Sequence, residues 1–123
     1  MPKILIVDDS EMARASMSFS LKSRRYEVVE ASSGKEALVR LDEHKDIGLI
    51  ITDLNMPEMS GLDLIAFVRQ FGRQKDIPIY VITTESSTGN EVIEKGATGY
   101  IIKSGKTSEE MHKVVGKHIP TPA

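Results

Sequence analysis

Five short apolar segments recur along the chain, separated by longer and more polar stretches. They cover residues 4–7, 26–29, 49–51, 79–82 and 100–102. Four of them are rich in isoleucine and valine without alternating polar residues, which is typical of strands covered on both faces of a parallel sheet. The second segment alternates in part, and this pattern favours a strand at the edge of the sheet.

The stretches between these segments have the periodicity of amphipathic helices, with apolar side chains three or four positions apart. Three of them begin with a capping-box pattern or a close variant of it: Ser33 with Glu36, Ser60 with Asp63, and Thr107 with Glu110. The fourth helix is predicted to be short, over residues 90–95, because residues 86–89 are polar or glycine. Five repeats of strand and helix predict an α/β fold, a doubly wound five-stranded parallel sheet with five helices.

Composition narrows the class of protein without identifying it. The 123 residues suit one domain, which we assign to residues 1–119, with residues 120–123 as a C-terminal tail. A net charge of -2 gives no reason to expect nucleic acid or an anionic membrane as a partner. The absence of cysteine excludes disulfides and thiolate metal sites. No apolar run approaches the roughly 20 residues of a membrane helix, so we expect a cytoplasmic protein.

Polar residues stand where four of the predicted strands end. Asp8 and Asp9 follow the first strand, Asp53 follows the third, Thr83 the fourth and Lys103 the fifth. In open α/β sheets, ligands bind outside the carboxyl ends of the strands. These five side chains are therefore predicted to line one site.

The residue types at this edge suit a metal ion and a phosphate. Carboxylates held close together repel unless one is protonated or a cation joins them. Hard oxygen donors without histidine fit Mg²⁺, and a lysine and a threonine can hold phosphate oxygens. Taken singly, Asp9 could cap the first helix, Asp53 could belong to a turn, and Lys103 could be solvated. Their shared position at strand ends favours a common binding site over these separate interpretations.

At these residues the sequence resembles the receiver domain of two-component response regulators. The motifs that carry the resemblance are VDDS at 7–10, DLNMP at 53–57 with SG at 60–61, IT at 82–83, and GATGYIIK at 96–103. They cover nearly the whole chain, from residue 3 to about 119. The resemblance implies a flavodoxin-like fold with the strand order 2-1-3-4-5.

The resemblance also implies roles for the acidic residues. Asp53 corresponds to the phosphoacceptor, which receives a phosphoryl group from a sensor histidine kinase or a phosphotransfer protein. Asp9, Asp53 and the backbone carbonyl of Asn55 correspond to direct Mg²⁺ ligands, and Asp8 acts mainly through water.

Further roles follow for residues near the other strand ends. Thr83 and Lys103 match the residues that bind phosphoryl oxygens, and Tyr100 matches an aromatic switch that turns inward when the threonine moves. Asn55 and Glu85 lie at the positions that tune phosphate lifetime in the family. The same pair occurs in fast-cycling chemotaxis regulators, so we expect short-lived phosphorylation.

The chain departs from the family pattern beside Lys103. Receivers usually have proline after this lysine, often through a cis bond, whereas this chain has Ser104. Because a non-proline cis bond costs about 2.5–4 kcal/mol, we expect a trans bond and a rebuilt loop through Gly105. The interval from Thr83 to Lys103 is also about two residues shorter than in chemotaxis regulators. Both departures concern the surface that receivers present to partners.

Three functions remain open from the sequence. The favoured one is a phosphorylation-switched binding module, monomeric or weakly dimeric, that signals through the surface around the fourth helix, fifth strand and fifth helix. It would not be an enzyme beyond its own phosphorylation from small donors and its own dephosphorylation. The second is a degenerate receiver that binds partners without phosphorylation. The third is a Mg²⁺-dependent aspartyl-phosphate phosphatase, which typically has a second acid where this chain has Asn55.

Overall fold

The computed structural model describes residues 2–84 and 89–122, and within them strands and helices alternate strictly. The elements are β1 (Lys3–Val7), α1 (Glu11–Lys22), β2 (Val28–Ala31), α2 (Gly34–Glu43), β3 (Ile47–Asp53), α3 (Gly61–Phe71), β4 (Ile79–Thr83), α4 (Gly89–Glu94), β5 (Gly99–Ile102) and α5 (Thr107–His118). The predicted alternation is confirmed.

The five strands form one parallel sheet in the order β2-β1-β3-β4-β5. This confirms the doubly wound sheet and the edge position of the second strand. Side chains of α2, α3 and α4 pack on one face of the sheet, and side chains of α1 and α5 pack on the other. Within β1, Leu5 and Val7 belong to the first of these cores, and Ile4 and Ile6 to the second. Burial on both faces explains why this strand lacks polar alternation.

The second strand begins two residues later than predicted. The chain leaves α1 through Arg25, which has a left-handed φ of 69°, and the N–H of Tyr26 donates to the Leu21 carbonyl at 3.3 Å. Tyr26 therefore belongs to the turn that ends α1, although its side chain is buried in the core. A helix-ending turn of this kind satisfies carbonyls that the helix itself leaves open.

The capping patterns have different outcomes. Ser60 and Asp63 form a reciprocal capping box at the start of α3, as predicted. Ser33 caps α2 by accepting from the Glu36 N–H at 3.0 Å, whereas the Glu36 carboxylate binds Ser32 instead of closing the box.

The predicted cap of α5 is wrong. Thr107 is the first residue of the helix, and its hydroxyl exchanges hydrogen bonds with the backbone of Ser104, at 2.8 Å in both directions. Lys106 occupies the N-cap position without a side-chain cap. The threonine hydroxyl therefore stabilises the loop before the helix.

The short fourth helix is confirmed within one residue, since α4 covers Gly89–Glu94. Glu85, assigned to phosphate lifetime, lies outside the described residues. Among the helices of the described ranges, none has the length and apolar character needed to cross a membrane.

Candidate functional site

Three carboxylates meet at the carboxyl edge of the sheet. Asp8 and Asp9 follow β1 directly, and Asp53 is the last residue of the neighbouring β3. One carboxylate oxygen from each lies within 4.8 Å of the others. The alternative interpretation of Asp9 as the cap of α1 is wrong, because Ser10 is the N-cap and accepts from the Ala13 N–H at 3.2 Å. The predicted acidic cluster is therefore present.

Asp8 supplies the strongest local sign that this cluster suits a cation. Its side chain is buried, and its Oδ1 accepts from the Ser10 N–H at 2.9 Å. Its Oδ2 is buried without a hydrogen-bond partner in the described residues. A buried carboxylate oxygen without a partner is costly, and a hard divalent cation or a water molecule bound to it would satisfy this oxygen. The donor set thus fits Mg²⁺.

Asp53 lies in an environment that opposes its negative charge. Burial raises the pKa of its carboxyl above the ordinary value, and the charge of Asp8 raises it further. Lys103 acts in the opposite direction, with its Nζ 3.5 Å from Asp53 Oδ1. A divalent cation between the carboxylates would likewise favour the ionised form, which is the nucleophilic one.

Gly61 fixes the backbone beside Asp53. Its N–H donates to the Leu54 carbonyl at 2.8 Å, so the start of α3 packs directly on the end of β3. A Cβ at position 61 would lie 2.6 Å from the Asp53 carbonyl oxygen, closer than any side chain allows. The sequence contained this glycine within a family motif, but its contact with Asp53 required the structure.

Thr83 is the last residue of β4, and Lys103 directly follows the adjacent strand β5. Thr83 ends β4 and is 3% exposed, and its carbonyl accepts from the Lys103 N–H at 2.8 Å. The Lys103 side chain is 39% exposed and reaches the Asp53 carboxylate. The predicted lysine contact with the acidic cluster is therefore present.

The loop after Lys103 has its own local hydrogen bonds. All peptide bonds of the described residues are trans, which confirms the expectation for Lys103–Ser104. The Ser104 N–H donates to Thr107 Oγ1, and the Lys106 N–H donates to Ser104 Oγ at 3.1 Å. Serine thus supplies a backbone donor and a hydroxyl acceptor that proline lacks.

Tyr100 and Asn55 are the remaining predicted site residues that the structure describes. Tyr100 is 41% exposed, and a Cβ on Gly89 would lie 2.4 Å from its ring carbon Cζ. The tyrosine ring therefore covers the first residue of α4. Asn55 is exposed, two residues after Asp53.

Sequence reasoning missed Arg14. This residue of α1 donates from Nη1 to the carbonyl oxygen of Asp8 at 2.8 Å, and from Nε to Glu30 on β2 at 3.2 Å. An arginine on a polar helix face gives no signal of such a contact, because the contact depends on how α1 packs against the sheet.

Comparison with known proteins agrees with this geometry. The family model described as the response regulator receiver domain matches residues 4–115. The chemotaxis protein CheY1 of Helicobacter pylori is 44% identical over 104 residues, which are 82% of this chain and 84% of that protein. The two-component response regulator ORR5 of Oryza sativa is 37% identical over 110 residues, covering 88% of this chain and 82% of the relative.

Solved structures extend the likeness to the whole fold. The Vibrio cholerae chemotaxis protein CheY4 superposes with a TM-score of 0.86 at 35% identity, covering 95% of this chain and 98% of that one. The Thermotoga maritima response regulator TrrA, solved in complex with Mg²⁺-BeF, has a TM-score of 0.82 at 31% identity, covering 94% and 98%. The family model, the relatives, the strand order and the acidic cluster agree, and the chain belongs to the response regulator receiver domains of two-component systems.

Proposed function

We propose that this chain is a phosphorylation-activated switch whose phosphoacceptor is Asp53. The observation that carries the proposal is the cluster of Asp8, Asp9 and Asp53 within 4.8 Å, with the Lys103 ammonium 3.5 Å from Asp53. A carboxylate oxygen of Asp53 forms a bond to phosphorus while the P–N bond of a phosphohistidine breaks, and the imidazole keeps the electron pair. The donor is a sensor histidine kinase or a phosphotransfer protein.

Mg²⁺ is the proposed cofactor. Asp9, Asp53 and the backbone carbonyl of Asn55 would hold it directly, and Asp8 would contribute mainly through water. The unpartnered buried Oδ2 of Asp8 supports this assignment, as does the Mg²⁺-BeF complex of the similar TrrA. When bound, Mg²⁺ neutralises charge on the transferring phosphoryl group.

Thr83 and Lys103 are proposed to bind the phosphoryl oxygens. Lysine contributes charge and threonine contributes a hydroxyl donor. Movement of Thr83 toward the new phosphate would be followed by Tyr100, whose exposed ring covers Gly89 of α4. Asn55 and Glu85 are proposed to keep the phosphate short-lived.

The output is proposed to be a change in the surface formed by α4, β5 and α5. Ile93 and Tyr100 support this assignment, because both are large apolar side chains and are 44% and 41% exposed. The domain is proposed to span residues 1–119, since Ile119 is buried in the core, with 120–123 as a tail. We propose a monomer or weak dimer that binds a protein target and neither nucleic acid nor membrane.

The decisive experiment is the intact mass after incubation with acetyl phosphate and Mg²⁺. We expect one phosphoryl adduct on the wild type and none on Asp53→Asn. Asp42→Asn is the matched control, because this exposed carboxylate lies at the far end of α2. An adduct that persists in Asp53→Asn would show that another residue is the acceptor.

Two other functions have distinct outcomes in the same assay. A degenerate receiver would give no adduct and no Mg²⁺ effect on melting, whereas a working site should gain about 1.4 kcal/mol of unfolding free energy at about ten times the dissociation constant. An aspartyl-phosphate phosphatase would hydrolyse small phosphomonoesters with steady turnover instead of accumulating one adduct.

A further inference from the structure

We propose that Arg14, held by Glu30, is a positioning residue that sets the Asp8–Asp9 backbone for binding a divalent cation. The inference rests on the proposed function, because it concerns the same acidic cluster. Arg14 is the fourth residue of α1 and reaches back across the start of its own helix. It is 17% exposed at the side chain, so its position is set by packing.

The guanidinium of Arg14 joins three elements. Its Nη1 donates to the Asp8 carbonyl at 2.8 Å in the β1–α1 loop, and its Nε donates to Glu30 Oε1 at 3.2 Å on β2. The second oxygen of Glu30 accepts from the Ser18 hydroxyl, also at 3.2 Å, on the next turn of α1. Both oxygens of the glutamate are therefore engaged, and the planar guanidinium is held at two of its nitrogens.

The bond from Arg14 fixes the peptide plane that precedes Asp9, and a bond from the Asp8 N–H fixes the plane before it. The Asp8 N–H donates to the Ala31 carbonyl at 3.1 Å, and the Asp8 carbonyl accepts from Arg14. The peptide unit of the Asp8 carbonyl also contains the Asp9 nitrogen, so fixing this carbonyl orients the Asp9 backbone. In the described part of the chain, no hydrogen bond or ion pair holds the exposed Asp9 carboxylate. Its direction toward the cluster therefore depends on the backbone that Arg14 holds.

Glu30 also removes an electrostatic conflict. An unpaired arginine beside the acidic cluster would attract the carboxylates and compete with a divalent cation. The Glu30 carboxylate at 3.2 Å offsets this charge while leaving the Nη1 donor on Asp8. The Arg14–Glu30 pair thus provides a rigid hydrogen-bond donor with little net charge, which suits an outer-shell partner of a metal ligand.

Arg40 provides a matched control on the other face of the sheet. Its Nε donates to the backbone carbonyl of the same Glu30 at 3.1 Å, and it also pairs with Glu36 and Glu43. Its hydrogen bonds and ion pairs in the described ranges involve none of the three aspartates. Removal of Arg40 therefore weakens the support of β2 without releasing the Asp8 carbonyl.

The test is calorimetric titration of the full chain with Mg²⁺, combined with metal-free melting temperatures. We expect Arg14→Met to weaken Mg²⁺ binding about tenfold, the lower end of the effect of outer-shell partners. Arg40→Met should lower the melting temperature without changing the dissociation constant. Arg14→Lys keeps the charge without the two-nitrogen geometry and should itself bind Mg²⁺ more than about threefold more weakly than the wild type. This comparison with the wild type stands even if Arg14→Met does not fold.

The outcomes separate the two proposals. If the wild type does not bind Mg²⁺, the metal part of the proposed function and this inference both fail. If the wild type binds and Arg14→Met binds equally well, only the inference fails. Equal weakening of Mg²⁺ binding in Arg14→Met and Arg40→Met would assign the effect to the stability of β2. Mg²⁺ affinity equal to that of the wild type in Arg14→Lys would assign the effect to charge. Either result would overturn the positioning role.

Discussion

The candidate site has an acidic half, formed by Asp8, Asp9 and Asp53, and a second half, formed by Thr83 and Lys103. The two halves are held in different ways. In the acidic half, Asp8 has its N–H, its carbonyl and one carboxylate oxygen in hydrogen bonds, and Gly61 packs against the backbone of Asp53. In the other half, Lys103 reaches the cluster by a long side chain that is 39% exposed, and the loop that follows it is held by hydrogen bonds among residues 104–107.

This difference suits the two tasks proposed for the site, binding a cation and responding to phosphate. A metal site needs oxygens in a fixed arrangement before the cation arrives, and a rigid backbone supplies it. A switch needs groups that change position when charge is added, and the long, partly exposed stem of Lys103 can do so at small energetic cost. Cation affinity should therefore depend on the acidic half, whereas the phosphate response should depend on the other half.

The largest expected effect separates these halves directly. Asp9→Asn should weaken Mg²⁺ binding by more than the roughly 10–100-fold typical of an outer-shell change, because the proposed direct ligand loses its charge. Lys103→Met should leave Mg²⁺ affinity within about threefold but slow adduct formation on the order of 100-fold, as expected for one lost charge-stabilising donor. Calorimetry measures the first quantity and a mass time course the second. Parallel losses in both variants would contradict the division.

A second effect concerns the charge held in the acidic half. Burial and Asp8 raise the pKa of Asp53 in the folded state above its unfolded value of 3.8, so in metal-free buffer the folded protein binds this proton more strongly. The free energy of unfolding therefore falls as the pH rises from the unfolded pKa through the folded pKa. Asp53→Asn should be more stable than the wild type at pH near 7, with the advantage vanishing below about pH 4. Urea titrations at both pH values measure this, and an advantage that grows on acidification would contradict it.

A third and smaller effect concerns the loop after Lys103. Ser104→Pro would remove the donor to Thr107 and the hydroxyl that accepts from Lys106, and we expect a loss of roughly 1–2 kcal/mol in unfolding free energy. Ser104→Ala keeps the backbone donor and should lose about half as much. Chemical denaturation compares the two, and a proline variant as stable as the wild type would show that these hydrogen bonds contribute little.

The smallest effect concerns the contact of Tyr100 with α4. Gly116→Ala in α5 has open space and should stabilise the chain by up to about 1 kcal/mol through helix propensity. Gly89→Ala should lose this gain, because its Cβ would lie 2.4 Å from Tyr100 Cζ and must displace the ring. Urea denaturation and the NMR shifts of the tyrosine ring protons measure both consequences. An unchanged ring signal in Gly89→Ala would contradict the packing.

Much of the fold followed from local patterns. Strand and helix periodicity predicted the alternating elements, and the capping pattern of Ser60 with Asp63 predicted the start of α3. Two of the local predictions that failed have a common physical reason. The second strand begins late because Tyr26 completes the turn that ends α1, and the Thr107 hydroxyl binds Ser104 instead of capping α5. In both cases a hydrogen bond to a preceding residue competed with the pattern.

The sequence by itself determined which residues end the strands, and the parallel sheet then required Asp8, Asp9 and Asp53 to share one edge. It did not determine how that edge is held. The contact of Arg14 with Asp8 and Glu30, and the close approach of Gly61 to Asp53, exist only once helices pack on the sheet. Periodicity depends on neighbours a few positions away, whereas these contacts depend on the register and packing of separate elements, which only the tertiary structure decides.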